Sequence, residues 1–138
     1  MRRKINFFSR ISLNDTDRKP WLFSISKFIK NFDENENLIF ACSALKKIYR
    51  DWISQDNEDC FFIFIHLKGS LDLIQERLLK RTNHFMNSNL LTSQFETLEE
   101  LKEKEKGFEI DISKNANEII KEIIDQLKDM NMNESFIN

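Results

Sequence analysis

Residues 61–67 constrain the fold most, because this run is continuous, apolar, and rich in aromatic and β-branched side chains. Such a run is typical of a strand buried on both faces of a parallel sheet. A shorter apolar run covers residues 38–42, and an alternating apolar and acidic run covers residues 108–112. Between the three runs, apolar residues recur at helical spacing. The sequence therefore predicts an α/β fold with parallel strands joined by right-handed crossovers.

The apolar spacing also predicts where the helices lie. One helix begins near the candidate caps Asn14, Asp15 and Asp17, with Pro20 in its first turn, and ends near residue 31. Further helices are expected over 44–55, 70–81 and 93–99, and after residue 115. Periodicity fails over 82–92, which indicates a lid. We therefore expect one domain over 1–129 and a frayed tail over 130–138.

Charge and composition exclude several classes of function. The 138 residues carry 21 basic and 23 acidic side chains, a net charge of -2, which favours neither nucleic acid nor a membrane surface as a partner. No apolar run reaches the roughly 18 residues that span a bilayer, and the N-terminus has no apolar signal region. Cys42 and Cys60 fit buried, reduced thiols. These features predict a cytoplasmic protein.

The glycine content excludes two nucleotide-binding motifs. The sequence contains only Gly69 and Gly107. A phosphate-binding P-loop requires two glycines five positions apart followed by Lys and Ser or Thr, and the dinucleotide fingerprint requires three glycines. Neither motif occurs in this sequence.

A corner of small residues joins the run 38–42 to the helix predicted after it. Ser43 and Ala44 form the corner, and Lys46, Lys47 and Arg50 follow at once. A strand that ends in small residues and opens a basic helix is a common anion site in α/β proteins, because the helix start offers free N–H groups. The alternative is an ordinary strand–helix junction with a solvated basic face.

Other candidates for chemistry have similar alternatives. Arg77 and Arg81 lie one helical turn apart, a spacing that suits a phosphate clamp or, alternatively, two solvated charges. Near the first helix, Asp15, Asp17 and Arg18 suit either a polyol or sugar acid, or only a helix cap. The sequence shows no zinc ligand set and no nucleophile with a base at catalytic spacing.

Three motifs, taken together, resemble a known family. The chain contains, in order, LNDTDRKPWL at 13–22, ACSALKKIYRD at 41–51, and HFM at 84–86 with LLTSQFETLE at 90–99. These segments resemble the gluconokinases, ATP-dependent gluconate kinases of the P-loop type that are related in fold to shikimate and nucleoside-monophosphate kinases. The resemblance covers about 13–127. It implies an incomplete P-loop-kinase-like three-layer fold, with strands near 38–42, 61–67 and 108–112.

The resemblance also implies a reaction and its site residues. The reaction is phosphorylation of D-gluconate to 6-phospho-D-gluconate by ATP with Mg²⁺. Matched positions on the gluconate side are Arg18, Ser43, Ala44, Lys46, Tyr49 and Arg50. Matched positions on the nucleotide and lid side are Arg77, Arg81, His84, Phe85, Ser113 and Asn115. Catalytic residues stay unassigned, and no residue of this sequence is assigned to the metal.

The departures from the family limit what this chain does alone. Family members begin with a strand, a Gly-rich phosphate loop, a helix and an Asp-containing strand, for which this sequence has no counterpart. We expect the chain alone not to phosphorylate gluconate at a family-like rate. The missing first strand would lie between 38–42 and 61–67, so these strands would pair directly, recruit another polypeptide, or fold poorly. The implied partners are a second copy of the chain or a complementing N-terminal piece. The alternatives to a complete gluconokinase are one piece of a split kinase and a non-catalytic remnant that binds sugar acids or nucleotides.

Overall fold

The structure, a computed structural model, describes residues 13–32, 37–57, 61–81 and 88–135, with side chains over all but residues 88 and 131–135. The chain divides into two compact units. The first comprises Met1–Cys60 and Leu78–Glu100, and the second comprises Phe61–Arg77 and Leu101–Asn138. The predicted single domain over 1–129 stays a prediction.

The described part of the first unit contains the helices α1 (Asp15–Lys30), α2 (Lys47–Ser54) and α4 (Ser88–Thr97). A capping box starts α1, in which the Asn14 side chain accepts from the Asp17 N–H at 2.9 Å and Asp17 accepts from the Asn14 N–H at 3.2 Å. Pro20 lies in the second turn of α1, not in the first as predicted, and its missing N–H removes one helical hydrogen bond. Helices α1 and α2 pack on each other. Their buried residues are Leu22, Ile25, Ser26, Tyr49, Arg50 and Ile53.

The second unit contains a two-stranded parallel sheet of β1 (Phe64–Lys68) and β2 (Gly107–Asp111). Phe64 lies opposite Gly107, where an added Cβ would come within 2.2 Å of the Phe64 carbonyl oxygen. The close approach of the two backbones explains the glycine. The helix α3 (Leu71–Leu79) follows β1, and α5 (Ala116–Ser135) follows β2 and packs against it.

The α/β architecture and the parallel pairing of two predicted strands are confirmed. The prediction of a strand at 38–42 is wrong, because these residues form neither helix nor strand and lie outside the two-stranded sheet. Leu38, Ile39 and Phe40 are 37%, 99% and 45% exposed. An apolar run can favour a strand, but a strand also needs a neighbour for its N–H and C=O groups. No such neighbour is found for this segment within the described ranges.

Several boundaries differ from the predicted ones. The α4 helix begins at Ser88, inside the segment predicted as a lid over 82–92, while residues 82–87 of that segment lie outside the described residues. The α5 helix continues to Ser135, into the tail predicted to fray. Its Asn115 and Glu118 side chains form a second capping box, which fixes the helix start that the sequence predicted.

Candidate functional site

The anion site that the sequence predicts lies at the corner of Ser43 and Ala44, and the N-terminus of α2 lies just after this corner. The helix begins at Lys47, and Lys46 precedes it in an extended conformation with φ -97° and ψ 151°. The Lys47 N–H donates to a carboxylate oxygen of Glu99 at 2.9 Å, and the Glu99 N–H donates to the Leu45 carbonyl at 2.8 Å. A carboxylate of the chain itself therefore occupies the positive end of the helix dipole.

Arg50 lies inside the first unit and is only 4% exposed. Its Nη1 group donates to the carbonyls of Ala44 at 3.0 Å, Leu45 at 3.3 Å and Glu99 at 3.1 Å. These contacts connect the residues before α2 with Glu99, which follows α4 in the chain. The matched family position implied a gluconate contact, but this geometry gives the guanidinium a bracing role between backbone segments.

An open polar cavity of about 430 Å³ lies beside this brace. Its lining consists of Leu13, Asn14, Asp15, Thr16, Lys46, Tyr49 and Thr97. The Lys46 ammonium donates to Asp15 Oδ1 at 2.8 Å, and the Tyr49 hydroxyl donates to the same oxygen. The Tyr49 ring is buried, whereas the side chains of Asp15 and Lys46 are 48% and 29% exposed. A cation, a carboxylate and a phenol therefore meet at one point of an accessible cavity.

The contacts among Asp15, Lys46 and Tyr49 shift the pKa of each group. The Lys46 ammonium, and then the Tyr49 hydroxyl, lowers the pKa of Asp15 below its ordinary value. The hydrogen bond to Asp15 raises the pKa of Lys46. Burial, and then the hydrogen bond to Asp15, raises the pKa of Tyr49. At neutral pH the cavity therefore presents an ionised Asp15, a charged Lys46 and a protonated Tyr49.

The remaining positions of the gluconate side lie in the same unit. The Arg18 guanidinium lies 5.6 Å from the centre of the Tyr49 ring, on the α1 side of the cluster, and its Nε donates to the Leu13 carbonyl at 3.2 Å. Ser43 is exposed, and Ala44 contributes a carbonyl to Arg50. The structure thus brings Arg18, Lys46 and Tyr49 together, while Ser43 and Ala44 do not line the cavity.

The positions of the nucleotide side are divided between the units. In the second unit, Arg77 Nη2 donates to the carbonyls of Ile112 and, at 3.3 Å, Lys114, so it holds the loop that carries Ser113 and Asn115. Ser113 donates its N–H to Asp111 at 2.8 Å, and Asn115 caps α5. Arg81 is exposed in the first unit. His84 and Phe85 lie outside the described residues.

Two residues of this region were missed as site residues. The sequence indicates Asp15 as a helix cap or a sugar-acid contact, and the family resemblance does not include it among the gluconate positions, although it joins Lys46 and Tyr49. The Glu99 cap on α2 connects residues separated by 52 positions, so no local pattern indicates it. The LNDTDRKPWL and QFETLE motifs contain both residues, which was the one available signal.

The described residues contain no group of three or more His, Cys, Asp or Glu side chains that could hold a metal ion. None of their helices is long and apolar enough to cross a membrane.

Comparisons with known proteins give the chain a family. No model of a protein family matches it. A probable gluconokinase of Dictyostelium discoideum is 48% identical, over 87% of this chain and 64% of the relative, so the chain spans about two thirds of that protein's length. A gluconokinase crystal structure from Sinorhizobium meliloti superposes with a TM-score of 0.76 and 35% identity, over 91% of this chain and 70% of that one. A probable gluconokinase of Rattus norvegicus is 34% identical, over 91% of this chain and 77% of the relative. This chain therefore belongs to the gluconokinase family.

Proposed function

We propose that this chain forms the acceptor-binding part of an ATP-dependent gluconokinase and binds D-gluconate in the cavity beside α2. The observation that carries the proposal is the Lys46 ammonium, held at the cavity wall by Asp15 at 2.8 Å, within a motif that resembles the gluconokinases. In the family reaction a gluconate hydroxyl oxygen attacks the terminal phosphorus of ATP, the bond to the bridging oxygen breaks, and the hydroxyl proton is released.

The cavity suits a polyhydroxy carboxylate. Lys46 has three N–H donors and Asp15 accepts one of them, so the ammonium keeps donors for a ligand carboxylate. The Thr16 and Asn14 side chains add polar groups to the lining. The volume of about 430 Å³ lies within the range of small-molecule sites.

The described residues contain no comparable binding site for ATP or Mg²⁺. The sequence lacks the glycines of a phosphate loop, and the described residues contain no acidic or histidine cluster suited to a metal ion. We therefore derive no step through Mg²⁺ or the phosphates from this chain. The roles of Arg77, Arg81, His84, Phe85, Ser113 and Asn115 toward the nucleotide stay predictions, as do a cytoplasmic location, a homodimer and a complementing N-terminal piece.

Calorimetric titration of the purified chain with D-gluconate tests the proposal. Lys46→Met should weaken gluconate binding about 10- to 100-fold, since a charge-assisted hydrogen bond contributes roughly 1.5–3 kcal/mol. Lys47→Met is the matched control, because the Lys47 ammonium pairs with Asp51 at 2.6 Å and the residue does not line the cavity. This control should bind gluconate within about twofold of the unsubstituted chain. Absence of saturable binding, or equal affinity in both variants, would contradict the proposal.

A second measurement examines the reaction. When the chain is incubated with ATP, Mg²⁺ and gluconate, it should not form 6-phosphogluconate at the rate typical of kinases, which is about 1–100 per second. Formation at such a rate would show that the residues present can hold ATP without a P-loop, and the restriction of this chain to acceptor binding would be wrong.

A further inference from the structure

We infer that Asp15 is a binding and positioning residue of the cavity: one carboxylate oxygen fixes Lys46 and Tyr49, and the other accepts a hydroxyl of the sugar acid. The inference rests on the proposed function and adds to it a residue that selects polyhydroxy acids over simple carboxylates. Asp15 belongs to α1, whereas Lys46 and Tyr49 lie at the start of α2.

The hydrogen bonds of Asp15 are concentrated on one oxygen. Lys46 Nζ and the Tyr49 hydroxyl both donate to Oδ1. Its second oxygen, Oδ2, accepts no hydrogen bond from any residue that the structure describes, and the side chain is 48% exposed at the cavity. An ionised carboxylate has about four acceptor positions, so Oδ2 can receive a ligand hydroxyl without losing the contacts of Oδ1.

Helix capping does not account for Asp15. The capping box of α1 is complete with Asn14 and Asp17, which satisfy each other's N–H groups at 2.9 and 3.2 Å. The Asp15 side chain instead reaches residues 31 and 34 positions further along the chain. A carboxylate next to a finished cap, aimed at a lysine and a buried phenol on another helix, is placed for the cavity.

The pairing gives the cavity a means of selection. Because Asp15 offsets part of the Lys46 charge, a simple carboxylate gains one cation but also meets a nearby anion. A polyhydroxy carboxylate gains Lys46 and also donates a hydroxyl to Oδ2. A site that hydrogen-bonds a ligand hydroxyl discriminates strongly against ligands that lack it.

Asp15→Asn, with Asp17→Asn as the matched control, tests the selection. Both changes remove one charge from the first turn of α1 and keep an acceptor oxygen, but only Asp15 lines the cavity. The ratio of hexanoate to gluconate dissociation constants, measured by calorimetry, should be at least tenfold in the unsubstituted chain. It should fall about tenfold in Asp15→Asn and stay within twofold in Asp17→Asn.

Tyr49 supplies an independent readout, since it is the single tyrosine of the sequence. The charged groups that face its ring and hydroxyl are Asp15 and Arg18 of α1, and Lys46. Phenolate absorbance therefore reports this one cluster. Asp15→Asn should lower the pKa of Tyr49, because the carboxylate helps to raise it, while Asp17→Asn should leave it unchanged. Tryptophan fluorescence along the titration verifies that the chain stays folded.

The outcomes separate the two proposals. If the unsubstituted chain binds no gluconate, the proposed function is wrong and the hydroxyl contact falls with it. If gluconate binds but its ratio to hexanoate is the same in Asp15→Asn, only the inference is wrong. Failure of Asp15→Asn to fold, with Asp17→Asn intact, would show a structural anchor and would also overturn the inference.

Discussion

Arg50→Met tests whether Arg50 stabilises the first unit by joining the carbonyls of Ala44 and Leu45, before α2, to that of Glu99, after α4. The substitution keeps an unbranched apolar side chain and removes the guanidinium from a residue that is only 4% exposed. Nη1 carries two hydrogens shared among three carbonyls at 3.0–3.3 Å, and Nη2 donates to the Glu100 carbonyl at 3.5 Å, so at least two hydrogen bonds are lost. Each such bond from a charged donor contributes roughly 1.5–3 kcal/mol. The substitution also removes the free-energy cost of burying the cation, which offsets part of the lost stabilisation. We therefore expect the free energy of unfolding to fall by about 3 kcal/mol.

Urea unfolding followed by tryptophan fluorescence measures this loss. Trp21 and Trp52 both lie in the first unit, so their emission reports the unit that contains Arg50. With a slope of about 1.5 kcal/mol/M, the midpoint should fall by about 2 M. Lys47→Met is the matched control on the same helix, since the exposed Lys47–Asp51 pair contributes at most about 0.5 kcal/mol.

Loss of gluconate binding without loss of stability would refute the bracing role of Arg50. Suppose Arg50→Met unfolds within about 1 kcal/mol of the unsubstituted chain but no longer binds gluconate. The guanidinium would then be available to the substrate, as the family motif implied, and the contacts with the three carbonyls would contribute little to stability.

Two further predictions concern the second unit and Cys42. Gly107→Ala should separate β1 from β2, because the added Cβ would lie 2.2 Å from the Phe64 carbonyl oxygen. Amide hydrogen exchange over β1 should therefore accelerate at least tenfold. Gly69→Ala, whose nearest atoms are the flexible side-chain carbons of Ile112 at 2.9 and 3.0 Å, should change that exchange far less, and equal effects would refute the backbone clash. Burial raises the pKa of the Cys42 thiol to about 11 against a smaller opposing effect of Arg18. In a Cys60→Ser chain at pH 8, iodoacetamide should therefore alkylate Cys42 on the order of a hundredfold more slowly than in urea, and equal rates would contradict the burial.

The sequence predicted the helices and two of the strands well, because apolar spacing reflects local burial. The run 61–67 and the alternating run 108–112 became β1 and β2 in parallel register. The run 38–42 is also apolar but does not form a strand. Pairing depends on a neighbouring backbone, which composition does not encode.

Roles in the candidate site were harder to predict than its location. The stretch 41–51 contains Lys46 and Tyr49, which line the cavity, and also Arg50, which is buried against carbonyls. Whether a basic side chain faces a cavity or braces a backbone depends on contacts such as the Glu99 carbonyl, 49 residues away. Asp15 shows the same limit, since its partners are distant in sequence.

The Glu99 cap has a consequence for how the chain matures. The α2 helix has only eight residues, fewer than an isolated helix needs for stability in water, and its N-terminus has no side-chain cap of its own. Its carboxylate partner is synthesised 52 residues later, which takes about 3–10 s at ordinary rates of translation. During that interval the nascent chain carries α2 without its cap. Translation that stops before residue 99 would leave α2 permanently without this stabilising contact.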